Sequence, residues 1–498
     1  MAETETQDQA YVDNGVKVVQ TDVGNKDGQV KCPKCGSTDI STNAATGQLR
    51  CNFCRFEFES QKLEMETDIS KLSGTTIGSG AQDIVADTKD QITLKCTSCG
   101  AEVVIDTASA NQARCHWCRN TLSLNQQIPN GAIPDMVLAF KVKKDEAKKA
   151  IESFVGKRKF YAHPKFRQEF TTNNIMGVYF PYMVVDLNAH SHLTGLGEHQ
   201  TRSYSEGSGE HRVTYYDADL YQVGRDFDLT IHGLSIESNK DRLDTTNKTK
   251  TNNIINSIMP FDVENSVKYD SNYLKGFTSE RRDSNITELT PIITERAKDI
   301  ARFSANASLK NYDRGVSWQS EQLDIKGQQW KAAYLPVWLY SYQEDKGDRK
   351  LLHYVAVNAR TKESMGSVPI YLPKLFLFAF LVELLGIFGF IKLDFEYDFL
   401  LLLVGPLYFF YIYTKYRNQN ARDQYETETK TNVTNLKTMD QFIEHRKRLR
   451  NSKIENQNNT TVRGASMNLK KKTGLGLDLD LKNFAADQLS SITDQFLK

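Results

Sequence analysis

The chain has 498 residues, with 63 basic and 62 acidic side chains and a formal net charge of +1. That balance argues against a protein that coats nucleic acid through a whole-surface positive field. With 39% hydrophobic and 25% charged residues the bulk can bury a core, and a mean hydropathy of −0.51 excludes a polytopic transporter but leaves room for a small anchor. At ~150 residues per domain the length predicts roughly three units.

Residues 1–28 are polar and acidic, with Glu3, Glu5, Asp8, Asp13, Asp22 and Asp27 against Lys17 and Lys26. They carry no basic-then-apolar secretory leader, and the composition predicts a disordered tail. All eight cysteines then fall in four Cys-x-x-Cys pairs: Cys32/Cys35, Cys51/Cys54, Cys96/Cys99 and Cys115/Cys118. Fifteen residues separate the pairs within each half, a zinc-ribbon spacing that predicts one ribbon over 29–60 and a second over 91–125. The flanks repeat too: Lys31 and Gly36 with Arg50 and Arg55, then Lys95 and Gly100 with Arg114 and Arg119.

Two thiolates on one tight turn reach one ion, and glycine after the second cysteine permits the backbone to fold back. A second turn completes a tetrahedral four-thiolate shell, closed to water and therefore structural. The expectation is two structural Zn2+ ions, held by Cys32, Cys35, Cys51 and Cys54 and by Cys96, Cys99, Cys115 and Cys118. Iron is chemically admissible in the same shell. Disulfides would require an oxidising compartment, and a thioredoxin-type motif would be a single Cys-x-x-Cys in a βαβ setting. His116 reads as a surface residue beside a complete ligand set. Residues 61–90, with Ser73-Gly74 and Gly78-Ser79-Gly80, read as a linker.

Residues 130–368 read as a central α+β domain. Val137–Val142, Val178–Leu187, Val213–Tyr221, Trp330–Tyr342 and Leu351–Asn358 read as strands, and Asp145–Lys157 and Ile292–Phe303 as helices. A polar loop is expected between the second and third of these strands. Val178-Tyr-Phe-Pro181 echoes Ala333-Tyr-Leu-Pro336, and Leu138-Ala-Phe140 echoes Met259-Pro-Phe261, which suggests repeated modules over 133–235 and 258–367. A proline in each strand predicts an edge or a strand start. His190, His192, His199 and His211 gather around the expected loop. His190 and His192 share a strand face, as a metal site would require, but no partner is fixed by spacing, so a solvated loop is the expected reading.

Two apolar runs, Leu375–Ile391 and Phe399–Thr414, predict a transmembrane helical hairpin over 370–415. Tyrosines at 371, 397, 408, 411 and 413 suit an interfacial belt. Lys374, Lys415, Arg417 and Arg422 outside the runs, against Asp394, Glu396 and Asp398 in the connector, place the hairpin in the cell membrane with both termini cytoplasmic. Pro406 is expected to kink the second helix. Glu383 inside the first run is a functional-site hypothesis by default, with a hydrogen-bonded helix contact as the favoured reading. The tail over 416–498 is basic, with 14 basic and 6 acidic residues from Lys415 to Lys472, and is expected to attract anionic lipid. Thr438–Ile454 reads as a helix and Leu475–Leu497 as a docking segment.

No phosphate loop, dinucleotide-binding glycine pattern, HExxH or GxSxG is present, so no reaction is assigned and no enzyme is expected. The segments KCPKCG…RCNFC and KCTSCG…RCHWC resemble transcription-factor-IIB-type zinc ribbons. With YFPYMVVD, YLPVWLYSY, HYVAVNARTKESMGSVPI and the C-terminal apolar runs, the chain resembles bacterial zinc-ribbon membrane proteins. Some of these carry a primosomal-helicase-like label through the ribbon alone, and this sequence has no helicase motif. Others are linked to phage-shock-type membrane stress and help bring a membrane-remodelling partner to the bilayer. The resemblance implies a cytoplasm-facing scaffold that recruits protein partners to the membrane. The alternative is a membrane-tethered binder of nucleic acid or of the transcription or replication machinery, using Lys31, Lys34, Arg50, Arg55, Lys95, Arg114 and Arg119 with Phe53 and Trp117.

Overall fold

The computed structural model describes residues 134–207, 213–239, 258–274, 277–280, 282–346, 349–392, 403–416 and 425–450, with shorter stretches between 10 and 128. In chain order the first strands are β1 (Ala10–Asp13), β2 (Val16–Val19), β3 (Ile40–Thr42), β4 (Leu49–Cys51), β5 (Glu57–Phe58), β6 (Gly74–Gly78), β7 (Gln91–Lys95), β8 (Glu102–Asp106), β9 (Ala113–Arg114), β10 (Thr121–Leu122), β11 (Gln127–Ile128) and β12 (Met136–Val137). Then come α1 (Lys144–Gly156), α2 (Pro164–Glu169), β13 (Met176–Glu206), β14 (Val213–Glu237), β15 (Val267–Lys268), β16 (Thr278–Glu280), α3 (Ile286–Ala305), β17 (Gly315–Lys346), β18 (Arg349–Asn358) and β19 (Ser364–Gly366). The last elements are α4 (Leu372–Lys392), α5 (Val404–Tyr416), α6 (Tyr425–Glu428) and β20 (Lys430–Arg450).

The chain divides into two compact units. The first takes Met1–His190, Asp228–Ala297 and Asp324–Val433, and the second takes Ser191–Phe227, Lys298–Leu323 and Thr434–Lys498.

In the first unit a mixed sheet runs β1-β2-β6-β17-β13-β16-β8-β7-β11. With its helices this sheet makes the central region α/β, and it takes in strands from before residue 130, where the sequence suggests a tail, ribbons and a linker. β1 and β2 pair as antiparallel strands with Gly15 between them, whose φ of 81° suits glycine, so Ala10–Asp13 and Val16–Val19 are strand rather than disordered tail. β6 pairs in parallel with both β2 and β17, so Gly74–Gly78, within the stretch expected as a linker, is an internal strand. Its Gly78 packs so closely on the Asp135 carboxylate that no side chain fits there.

Hydrophobic burial fixes the middle of this sheet. From Val178 to Leu187, β13 is buried on both faces, as an internal strand covered on each side must be. β12 lies parallel to β17 with Met136 opposite Ala333, and β16 lies parallel to β13 with Thr278 opposite Val178. Each Tyr-x-Pro segment therefore runs beside a short parallel strand. Pro181 and Pro336 sit inside their strands, not at edges or starts. Their carbonyls still accept bonds, from the amides of Ser238 and Ala359. α1 begins with the Glu146 carboxylate accepting from the Lys143 amide and buries Ala147, Ile151, Phe154 and Val155 on one face. α3 starts likewise, with Glu288 accepting from the Asn285 amide, six residues before the predicted start.

Asp135 is the polar tie of the first unit. It is completely buried and accepts from the Thr21 hydroxyl, the Gly80 amide and the Ala332 amide at 2.5, 2.7 and 2.6 Å. Burial raises its carboxyl above the ordinary range, against the pull of these donors and of the Arg282 charge.

The second unit is built from the later part of β13, the earlier part of β14, the start of β17 and most of β20. The expected polar loop after Leu187 is instead strand, because small and apolar residues alternate with polar ones. Gly195 lies against the Ser317 backbone, and a Cβ at Gly197 would come within 2.7 Å of the Tyr312 ring. Val223, Leu309, Tyr312 and Val316 form the core of this unit. Arg225 is buried beside them. It donates to both oxygens of Asp440 on β20, to the Ser308 hydroxyl and carbonyl, and to the Gly224 carbonyl. β20 pairs with β14, so the helix expected over 438–454 is strand as far as Arg450. Strand pairing overrides the local preference of its Met, Gln, Glu, Lys and Arg residues for helix. The docking segment expected over 475–497 lies outside the described residues.

The two apolar runs form α4 and α5, which pack on each other. Among the described residues one helix, Leu372–Gly389, is long and apolar enough to cross a membrane. α5 has 13 described residues, about 20 Å against a ~30 Å hydrocarbon core, so among the described residues the expected pair of spans reduces to one candidate. Glu383 serves the helix contact. Its Oε2 accepts from the Gly405 amide at 2.7 Å at the start of α5, where a Cβ at Gly405 would lie 2.7 Å from the Ala379 carbonyl.

Candidate metal centre

The first ribbon is a three-stranded antiparallel sheet, β3-β4-β5, with Ile40 and Leu49 fully buried beneath two cysteine turns. In the first turn the Gly36 amide donates to the Cys32 carbonyl and the Cys32 amide to the Ser37 carbonyl. Gly36 has φ of 74°, the left-handed conformation expected of the glycine after a Cys-x-x-Cys pair. The second turn repeats the geometry with Arg55, whose amide donates to the Cys51 carbonyl and whose φ is 62°.

These turns bring the sulfurs of Cys32, Cys35, Cys51 and Cys54 within 4.8 Å of one another. Cys32 Sγ and Cys54 Sγ are 3.6 Å apart, as are those of Cys35 and Cys51. Tetrahedral zinc with Zn–S bonds of about 2.3 Å needs edges of roughly 3.8 Å, so the donor set fits one ion with little movement. The Cys54 amide points at Cys51 Sγ from 3.5 Å and, with the Phe53 amide, holds the Cys51 thiol down to about 6 against burial. At Cys35 a bond from the Ser37 amide pulls down, but burial and the three neighbouring thiols prevail and push it up to about 12. Thiols this close resist ionising together, and a divalent cation relieves that conflict.

Arg55 gives a direct test of the turn. A non-glycine residue at positive φ costs about 1–2 kcal/mol. Arg55→Gly should stabilise the ribbon by up to about 1 kcal/mol, read as slower metal loss to a chelator, whereas Gly36→Val should speed it.

The second set of cysteines is described only at Cys115. Cys96, Cys99 and Cys118 lie outside the described residues, so a second ion is not shown. What surrounds Cys115 differs from a free-standing ribbon. β7 and β8 belong to the central sheet through β16, and Cys115 and Trp117 are buried in its core. His116 is buried as well, not at the surface. Its Nε2 lies 2.9 Å from Glu280 Oε1, to which the Trp117 indole N–H also donates, and the Ser341 hydroxyl donates to the His116 carbonyl at 2.6 Å. Trp117 therefore presents no face for stacking on bases. Glu280 is a residue that local sequence reading could not flag, since it lies 164 positions from His116.

Among the described residues the other histidines do not converge on a metal. In the first unit His190 Nδ1 is 2.9 Å from Asp228 Oδ1, which also accepts from Lys326. In the second unit His192 pairs with Asp226 at 3.4 Å, and His199 faces the Asn311 carbonyl at 2.9 Å. His211 lies outside the described residues. Among the described residues, the first ribbon holds the one group of His, Cys, Asp or Glu suited to a metal ion.

At the ribbon surface Phe53, between Cys51 and Cys54, is 81% exposed. Lys34 lies over the Phe56 ring at 5.9 Å, and Arg50 reaches Glu57 at 3.9 Å. The chain matches no protein-family model, no curated protein and no solved structure.

Proposed function

We propose that this chain is a membrane-anchored, cytoplasm-facing zinc-ribbon scaffold that recruits protein partners to the bilayer, in a role such as envelope stress. The carrying observation is that one compact unit combines a four-thiolate group with an apolar helix of spanning length. Zinc is the ion we assign to Cys32, Cys35, Cys51 and Cys54, and its role there is to fold the ribbon. A second zinc on Cys96, Cys99, Cys115 and Cys118 belongs to the same reading, as do a second crossing through α5 and cytoplasmic termini. Both ends of the helix pair support that topology. The Tyr371 amide before α4 donates to the Tyr161 carbonyl, and the Val368 amide donates to the carbonyl of Tyr416 at the end of α5, so the chain leaves and rejoins the same unit.

In this reading Phe53 is the contact residue. A large exposed aromatic held on a metal-stiffened turn loses little entropy on binding and suits an interface anchor. The test is mild-detergent capture of the full chain from native membranes, beside Phe53→Ala, with proteins and nucleic acid both analysed. Recovery of membrane-scaffold or stress proteins that Phe53→Ala loses supports the scaffold. Recovery of polymerase subunits or nuclease-sensitive nucleic acid overturns it in favour of the nucleic-acid reading.

A further inference from the structure

The foot of the helix pair carries a surface that the membrane reading does not by itself require. Residues 157–168, following α1, hold five basic side chains and no acidic one. Part of this segment is tied to the helices. The Tyr161 amide donates to the Tyr416 hydroxyl at 3.0 Å, and the Tyr161 and Tyr408 hydroxyls are hydrogen-bonded. The Arg158 guanidinium donates to the Lys415 carbonyl at 3.1 Å. Lys374 donates to the Phe160 carbonyl at 2.8 Å and stands 3.6 Å from the centre of the Phe160 ring, which is 52% exposed. Lys157, Lys159 and Lys415 are exposed at the same place, and Lys157 and Lys159 have no carboxylate partner among the described residues. Immediately past Lys374 the outer face of α4 turns apolar, with Phe376, Leu377, Phe380 and Leu381 all exposed.

We propose that Lys157, Lys159 and Phe160, with Lys374 and Lys415, form a collar that docks on the headgroup layer of an anionic glycerophospholipid bilayer. The inference rests on the membrane reading above and adds the lipid class and the residues that select it. Cations and an exposed aromatic ring lie where the apolar helix surface begins, the order in which a membrane presents headgroup, interface and hydrocarbon. Arg158 and Lys374 position the collar through their backbone bonds. Lys157 and Lys159, exposed and without a carboxylate partner among the described residues, are the cations available to phosphate. This also places the lipid-facing charge before the helices, not only in the basic segment after them.

The test floats the full-length chain with vesicles of phosphatidylcholine alone and of phosphatidylcholine mixed with phosphatidylglycerol. The native chain should associate with both, and about tenfold or more in favour of the anionic vesicles at low salt. Lys157→Glu with Lys159→Glu should keep the association with neutral vesicles and lose the anionic preference, while Lys157→Arg with Lys159→Arg should retain it. An undiminished preference in the charge-reversed variant overturns the collar and leaves the membrane reading standing. Absence of flotation on both vesicles, with the chain recovered as a self-associated species, overturns the membrane reading itself.

Discussion

The full-length chain carrying Cys51→Ser should bind one zinc fewer than the native chain. Cys51 sits at the end of β4 with its sulfur 3.6 Å from that of Cys35, and an alcohol in its place neither ionises nor bonds zinc comparably. In zinc-finger peptides the metal supplies about 10–16 kcal/mol of folding free energy at neutral pH, far more than two buried aliphatic residues such as Ile40 and Leu49 provide. The ribbon should therefore open when the ion is lost, and cleavage by a protease should concentrate between residues 32 and 59. Metal content by mass spectrometry decides the first point and limited proteolysis the second. Unchanged zinc in Cys51→Ser would falsify the assignment. Chelation of the native chain should reproduce the same cleavage pattern, reversed by adding zinc.

The second large effect falls far from the metal. Asp135→Ala should cost about 3–5 kcal/mol of stability, because it strands the Thr21 hydroxyl and the Gly80 and Ala332 amides in a dry interior and removes the carboxylate near Arg282. Asp135→Asn should cost less, since one acceptor remains. Burial raises the carboxyl in the folded state, so the native chain holds this proton more tightly than the unfolded one. Stability from this group is thus highest in acid and falls as pH rises from about 4 through the raised native value. Asp135→Ala should lack that slope. Thermal unfolding in detergent across pH measures both, and a loss under about 1 kcal/mol would show that the three donors find other partners.

The metal centre was legible because chelation is local: two Cys-x-x-Cys turns and an intervening hairpin lie within residues 32–54. Helix α1 was legible for the same reason, from its acidic start and its apolar spacing. The apolar runs announced helices, and α4 and α5 form on them. What escaped depends on partners distant in sequence. His116 read as a surface residue, and Trp117 as a base contact in the alternative, because nothing near them marks Glu280 as their acceptor. Asp135 and Ala332 lie 197 positions apart, so their bond leaves no spacing to read. The stretch around β6 looked like a linker through its Ser and Gly content, whereas Gly78 fits a crowded position beside Asp135. Thr438–Arg450 has helix-forming composition, yet its partner strand β14 decides its conformation.

The return of the chain to β14 has a consequence for biosynthesis. β14 is complete at Glu237, but its neighbour β20 emerges only after α4 and α5. Until then β14 offers a bare edge, and Arg225 lacks the carboxylate of Asp440. A transcript truncated just past Tyr416 would thus yield a product with its helices intact and a buried guanidinium short of its counter-charge. Such a product is a natural substrate for quality-control proteases, so the second unit matures only when translation has passed the helix pair.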